Sequence, residues 1–374
     1  VTNAPYRIEP LNLPANLGDP DAGDFLEHSD LCDALALEAS GSLDRTTTAQ
    51  ARLRFWQDDA YTQTRIHFVR VDGRMAARSS VRFGQRENLD RAGLHVAVLA
   101  DYAGRGIGRA LLHHAEAAAA ALGRSVFLTS TQHRADFDPA APEVVKPATG
   151  AGALPAKARG VRFAAAAGYR LEQVERYSRL DVAAAKPRLD GLEAEARTKA
   201  GGYELLTWTD RCPDEYAAQL AVLMSRMSTD APSGGISYEQ EIWDVARVRH
   251  VEDTWKRAGN ISLVAAARHR DSGQLAAYSV LELAPGKPWL AEQDDTLVAA
   301  AHRGHRLGML VKIANLRRLA DYPAVERVTT FNAAENDHML AINVALGFEP
   351  AGWDGEWQRT AAADGTAATK AAPE

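Results

Sequence analysis

One long-range repeat constrains this chain more than any other feature. Residues 96–109 read VAVLADYAGRGIGR and residues 296–309 read TLVAAAHRGHRLGM, so Val98 matches Val298, Gly104 matches Gly304 and Gly108 matches Gly308 without a gap. In both copies a short apolar strand enters a turn rich in Gly and Arg. A helix follows (ALLHHAEAAAAALG; MLVKIANLRRLADYP), then a strand (SVFLTST; RVTTFNA), and later a helix ending in Gly168-Tyr169 or Gly347-Phe348. Upstream, RIHFVRV and RMAARSSVRF flank the turn Asp72-Gly73, and ISLVAAARH and QLAAYSVLEL flank a turn near Asp271–Gly273. Alternating runs around such turns are hairpins. A helix is expected before each hairpin, at residues 23–39 and 213–227. Whole supersecondary units recurring in one order mean two copies of one fold.

The domain division follows from the repeat, and 374 residues suit two domains. The expected first domain spans 1–182 and the second 202–360. Between them, 183–201 (AAAKPRLDGLEAEARTKAG) is charged and small, fit for a linker or a short connecting helix. Residues 361–374 hold almost no large apolar side chain and are expected to be a disordered tail. Residues 133–160 are Pro/Gly-rich and long for a loop, which suits a lid, an interdomain contact or packing filler.

Composition removes several classes of function. With 46% hydrophobic and 25% charged residues the chain is an ordinary globular one. A net charge of −6 gives no bulk attraction to nucleic acid or to an anionic membrane. Cys32 and Cys212 are too few for a disulfide framework or a Cys-based zinc site. No apolar run reaches the ~18 residues of a membrane span, and VTNAPYRIEPLNLP lacks the parts of a signal peptide. The expectation is a soluble cytoplasmic protein without nucleic-acid or membrane partners.

The repeated turn carries the chemistry. Where a strand turns into a helix, free backbone N–H groups and the helix dipole converge, and Gly lets a phosphate come close. Gly104-Arg105-Gly106-Ile107-Gly108 has this form, with Arg105 and Arg109 adding positive charge. No Gly-Lys-Ser/Thr follows, so it is not a Walker A loop, and a preceding hairpin argues against a dinucleotide fold. A ligand-free tight turn is the bland alternative.

Strand, R/Q-x-x-G-x-G/A turn, helix, strand and a last helix ending in Gly-Phe or Gly-Tyr resembles the GNAT acyltransferases. The resemblance covers nearly all of residues 5–360 and implies an α/β (α+β) architecture. It consists of two tandem GNAT domains, each a mixed, mostly antiparallel sheet flanked by helices, as in mycothiol synthase. It implies acetyl-CoA as co-substrate, with its pyrophosphate on the turn and its thioester carbonyl on backbone N–H of the preceding strand, where a bulge splays that strand from its neighbour. The implied contacts are Val98, Leu99, Gly104, Arg105, Gly106, Ile107, Gly108 and Arg109 in the first half. In the second they are Val298, Arg303, Gly304, His305, Arg306 and Gly308, with Asn336 toward the pantetheine arm or as a helix N-cap. The copies depart from the pattern differently. Ala103 replaces R/Q in the first, which keeps Gly106 and Gly108; the second keeps Arg303, but Arg306 replaces a Gly, where it could reach a phosphate or block one. The resemblance therefore makes the first-half turn, with the amides of residues 105–109, the safer site for the acetyl-CoA pyrophosphate, and the second half the expected site of the chemistry.

Acyl transfer to an amine needs a base, stabilisation of the carbonyl oxygen and a leaving thiol. The Tyr that the family often uses as acid is Ala164 in one half and Asn343 in the other. The base in the family is commonly a carboxylate on the strand before the turn. In LAEQDDTLVAAAHRG, period 2 puts Glu292, Asp294, Thr296 and Val298 on one face. Glu292 and Asp294 are therefore the candidate catalytic residues, a solvated acidic loop being the alternative. The equivalent first-half stretch offers only His95, on the opposite parity. His302 and His305 lack a third ligand, so no metal is expected. Six tryptophans, Trp208, Trp243, Trp255, Trp289, Trp353 and Trp357, fall in the second half, and Asp230, Glu239 and Glu241 lie where the family shapes its acceptor site. The implied function is an acetyl-CoA-dependent N-acetyltransferase acting on a primary amine of a small molecule, in specialised metabolism or antibiotic resistance. A non-catalytic acyl-CoA binder and a protein-lysine acetyltransferase are the alternatives.

Overall fold

The computed structural model describes residues 6–58, 60–284 and 286–361. The first half runs β1 (Ile8–Pro10), α1 (Gly23–Ser40), α2 (Ala49–Gln57), β2 (Thr62–Val71), β3 (Arg74–Gly84), β4 (Arg91–Val98), α3 (Ile107–Ala120) and β5 (Val126–Arg134). It closes with β6 (Val144–Val145), β7 (Leu154–Pro155), α4 (Arg159–Ala166) and β8 (Arg170–Asp181). After α5 (Val182–Arg197) come β9 (Tyr203–Thr209), α6 (Asp214–Asp230), α7 (Val245–Ala258), β10 (Ile261–His269), β11 (Leu275–Leu283), β12 (Leu290–Val298) and α8 (Leu307–Arg318). The order ends with β13 (Arg327–Ala333), α9 (Asp337–Leu346) and β14 (Glu349–Thr360). The repeat in sequence is a repeat in structure.

Among the described residues twelve strands share one mostly antiparallel sheet, ordered β1-β2-β3-β4-β5-β14-β8-β13-β12-β11-β10-β9. The last strand of each half sits beside the other half: β14 pairs with β5, and β8 pairs with β13. The two exchanged strands pair with each other antiparallel at the centre. Two equivalent strands that pair antiparallel are related by an axis perpendicular to the sheet, so equivalent helices lie on the same face. Helices α3, α4, α5, α8 and α9 accordingly cover one face; α1, α2, α6 and α7 cover the other, where α2 touches α7.

The exchange mixes the cores. Trp353 and Trp357 of β14 pack into the apolar cluster under α3, so two of the six second-half tryptophans belong to the first half's core. Residues 183–201 are not a free linker. Asp181 caps α5 by accepting from the Ala184 N–H (2.8 Å), and Ala185, Leu189 and Ala196 are buried in the cluster under α8. The long segment 133–160 is packing across the halves. Gly152 has φ +74°, and a Cβ there would stand 2.6 Å from Val174 and 2.9 Å from Ala334. Beside it Leu154 is fully buried. Of the expected tail, Ala361 continues the sheet edge with an N–H bond to the Ser125 carbonyl (2.7 Å); residues 362–374 lie outside the described residues.

Candidate active site

Both Gly-rich turns follow one backbone path. Each begins with a single 3-10 turn, Ala100–Tyr102 or Ala300–His302, and continues through a left-handed glycine, Gly104 (φ +76°) or Gly304 (φ +86°). The residue capping the next helix is left-handed too: Gly106 (φ +83°) before α3, Arg306 (φ +56°) before α8. A side chain in that conformation costs about 1 kcal/mol, so the second turn keeps the shape under mild strain. Arg306 turns away from the turn to pair with Glu195 of α5 (2.6 Å). Arg303 pairs with Asp230 (3.1 Å), and Arg105 donates to the Asp101 carbonyl (3.0 Å).

A cavity of about 320 Å³ opens at the second turn between α8 and α9, lined by Val298, His302, Arg303, Gly304, Arg306, Gly308, Met309 and Ile342, among others. Gly308 lets α8 approach closely there: a Cβ would lie 3.3 Å from Ile342 and 3.6 Å from Val298. The first turn is lined differently. Phe163 takes the place of Ile342 beside Gly108, and the Arg159 guanidinium donates to the Val98 carbonyl (2.9 Å).

The strands entering the turns separate from their parallel neighbours in both halves. The β4–β5 ladder stops at Gly93↔Leu128 and the β12–β13 ladder at Glu292↔Thr329, and beyond those pairs each strand leaves a wedge-shaped opening. Only β12 is bulged. Its pairing with β11 steps from Leu281↔Gln293 to Ser279↔Thr296, one extra residue on β12, whereas β4 pairs regularly from Arg82↔Gly93 to Ala77↔Val98. The bulge overturns the period-2 expectation. Ala291 packs under α8 while Leu297 packs under α6, so Thr296 and Val298 lie on the face opposite Glu292. Thr296 is buried against Ser279 (2.9 Å).

Glu292 and Asp294 are strand residues rather than part of an acidic loop, and water reaches both. Protein surrounds them nonetheless. Glu292 stands directly opposite Glu282, and like charges in that position repel. Loss of water raises the proton affinity of Glu292, against the pull of Lys287 and Arg45. Loss of water and the charges of Asp295 and Glu292 raise that of Asp294 well above the usual range. Asp295 accepts from the buried Tyr278 hydroxyl (2.9 Å).

A second acidic group, which sequence reasoning missed, lies at the central seam on the same face. Glu175 of β8 stands opposite Asp354 of β14, and Glu356 of β14 stands opposite Ser130 of β5. Loss of water and the charges of Asp354 and Glu335 push Glu175 up to about 7. Glu356 is raised well above the usual range by burial and by Glu175 and Asp354. Arg45 separates the two groups. It bonds Asp354 and lies over the rings of Tyr177 (4.8 Å) and Phe331 (5.0 Å).

Loops cross between halves as strands do. The loop between α1 and α2 lies over the second half, where Lys287 donates to the carbonyls of Leu43 and Thr46 and Arg327 pairs with Asp44 (3.1 Å). The loop between α6 and α7 lies over the first half, where the Asn88 N–H donates to Glu239 (2.6 Å) and Glu87 pairs with Arg247 (3.1 Å). Each wedge is thus roofed by the other half's loop. The three carboxylates expected near the acceptor site all have partners: Asp230 with Arg303 and Glu241 with Trp243 and Arg247 within the second half, and Glu239 with Asn88 across the halves.

The remaining sequence candidates are placed as follows. Asn336 caps α9, accepting from the Met339 N–H (3.2 Å). His302 lines the cavity and meets the Tyr203 hydroxyl (2.9 Å), while His305 sits against the Tyr203 ring (5.3 Å). Burial lowers His95 to about 3, so it is a neutral histidine under Arg78 rather than a base. Ala164 and Asn343 are both buried. Among the described residues no group of three or more His, Cys, Asp or Glu could hold a metal, and no helix is long and apolar enough to cross a membrane.

Residues 63–141 match the acetyltransferase (GNAT) domain model. A tandem GNAT protein from the clavulanic acid biosynthesis pathway is similar over 96% of this chain and 99% of that one, at 27% identity and a TM-score of 0.74. A GCN5-related N-acetyltransferase from Sphaerobacter thermophilus shares the fold over 95% of each chain, at 14% identity and a TM-score of 0.59. No curated protein matches by sequence. With its two equivalent turns, its paired wedges and a match of the acetyltransferase (GNAT) domain model at residues 63–141, the chain has the architecture of a tandem GNAT protein, which supports an acyltransferase.

Proposed function

We propose that the second half transfers an acetyl group from acetyl-CoA to a primary amine of a small, cationic molecule. One observation carries the reading: at the β12 bulge, the cavity at the turn lies on one side of the wedge, and Glu282, Glu292 and Asp294, which form no ion pair among the described residues, lie on the other. Pyrophosphate would rest on the backbone N–H groups of residues 304–308, and pantetheine would run along β12. The bulge frees backbone N–H groups to meet the thioester oxygen as negative charge develops. Glu292, with its raised proton affinity, takes the ammonium proton directly or through water and leaves the free amine to attack. Asp294 and Glu282 favour an acceptor that arrives positively charged. The likeness to a protein of a specialised biosynthetic pathway supports the same setting here.

Glu292→Gln keeps the shape and removes the base. Turnover of acetyl-CoA with a primary amine should fall by about 10²–10⁴ while acetyl-CoA affinity by calorimetry stays within twofold. Unchanged turnover in both Glu292→Gln and Asp294→Asn would remove the assignment.

A further inference from the structure

Lys312 is the buried charged residue of α8, and the reading above does not use it. Its side chain is 1% exposed, and no carboxylate pairs with it among the described residues. It points along the inner face of α8 to the ring of Phe348, 5.9 Å from its centroid. That contact fixes its level in the sheet. Phe348 precedes Glu349, which pairs with Arg179, and Arg179 also faces Thr329, the last residue of the β12–β13 ladder. With α8 packed on β10, β11 and β12, the lysine is buried on the α8 side of the sheet, at the level where the β12–β13 ladder ends.

The layer around it is more polar than its counterpart in the first half. Asn315 donates to the Ser279 carbonyl (3.0 Å), Gln293 donates to the Val280 carbonyl (2.6 Å), and Asn343 donates to Asn332 (2.6 Å). Asn315 and Asn343 are both 0% exposed, and their Oδ1 atoms have no hydrogen-bond partner among the described residues. In the first half the places of Lys312, Asn315 and Asn343 are taken by Leu112, Ala115 and Ala164, all packed in an apolar cluster. Burying polar groups and a cation destabilises a fold that could hold leucine and alanine instead, so stability does not account for them.

We propose that Lys312 delivers the proton to the leaving thiolate in the second half, in the role that neither Ala164 nor Asn343 can fill. The proposal rests on the acyl-transfer reading above. The amine nitrogen bonds to the carbonyl carbon as the carbon–sulfur bond breaks. The bond's electron pair goes to sulfur, and sulfur takes a proton from the Lys312 ammonium. The acceptor nitrogen gives up two protons: the ammonium's goes to Glu292 before attack, and the second goes to water as the amide forms. Neutral Lys312 then regains a proton from solvent. Burial alone lowers the lysine to about 7, which suits a donor to a thiolate near neutral pH. Of the charged groups on the elements packed around it, Arg188 lies beside Gly347 and His338 lines the cavity. Glu282 and Glu292 are on the opposite sheet face.

The test is Lys312→Met in the full chain, with acetyl-CoA and 1,4-diaminobutane as probes. Turnover should fall at least a hundredfold, with acetyl-CoA affinity within twofold and a melting temperature equal to or above that of the wild type. Wild-type turnover should fall at high pH as Lys312 loses its proton, and the variant should lack that limb. Wild-type turnover in the variant, a retained alkaline limb or a lowered melting temperature would each overturn the lysine's role and leave acyl transfer standing. Failure of the wild type to bind acetyl-CoA would instead overturn both.

Discussion

The two halves share one backbone plan and differ in what lines the wedge. In the first, β4 is regular, Gly93 and His95 face the acceptor side, and Leu112, Ala115 and Ala164 fill the helix side. In the second, β12 is bulged, Glu292 and Asp294 face the acceptor side, and Lys312, Asn315 and Asn343 are buried behind it. The contrast teaches that the turn and the chemistry are separable. Both halves keep the same left-handed turn into a helix N-terminus, and only the second places carboxylates on the strand that enters it. The first half's acids, Glu175 and Glu356, come on the exchanged central strands instead.

The largest effect should come from filling the cavity. Gly308→Val drives a side chain into Ile342 and Val298, and acetyl-CoA binding should weaken at least tenfold, about 1.4 kcal/mol. The matched Gly108→Val should leave turnover within a few-fold. Equal losses of turnover from the two variants, compared by steady-state kinetics, would erase the distinction between halves.

A smaller effect is expected at Arg306. Arg306→Gly relieves the left-handed strain and loses an exposed ion pair with Glu195, itself worth little. Denaturant melts should show a gain of about 0.5–1 kcal/mol, with acetyl-CoA affinity unchanged or better. Weaker binding would mean that Arg306 leaves Glu195 to hold a phosphate.

The smallest effect is a pH signature of the central seam. Glu175 binds its proton more tightly folded than unfolded, so its contribution is full below the unfolded value and is lost as pH rises through about 7. Glu175→Gln removes that dependence. Its melting temperature relative to the wild type should rise between pH 5.5 and 8. A flat difference would mean that the seam carboxylates are better solvated than their placement opposite Asp354 implies.

Element order, the equivalence of the turns and the strand carrying Glu292 and Asp294 were legible because they rest on local patterns: periodicity, Asp-Gly hairpins and Gly-rich turns. The exchange of β8 and β14 was not, since pairing partners in a sheet leave no mark on a single strand. It hid the seam acids and sent Trp353 and Trp357 to the other half's core. The β12 bulge was also invisible as a shift of face, because one inserted residue reverses parity without altering the hydrophobic count. Lys312 escaped notice because a lysine in MLVKIANLRR reads as the solvated face of an amphipathic helix.

The central claim is that acetyl-CoA is used at the second turn, with its thioester at the β12 bulge. A crystal structure of the full chain with acetyl-CoA tests it most directly. The account predicts the nucleotide between α8 and α9, pyrophosphate on the amides of residues 304–308, and the thioester oxygen on the β12 backbone between Gln293 and Thr296, with Glu292 across the wedge. Acetyl-CoA seated only on Gly104–Gly108 of the first half, with the α8–α9 cavity free of it, would contradict the account.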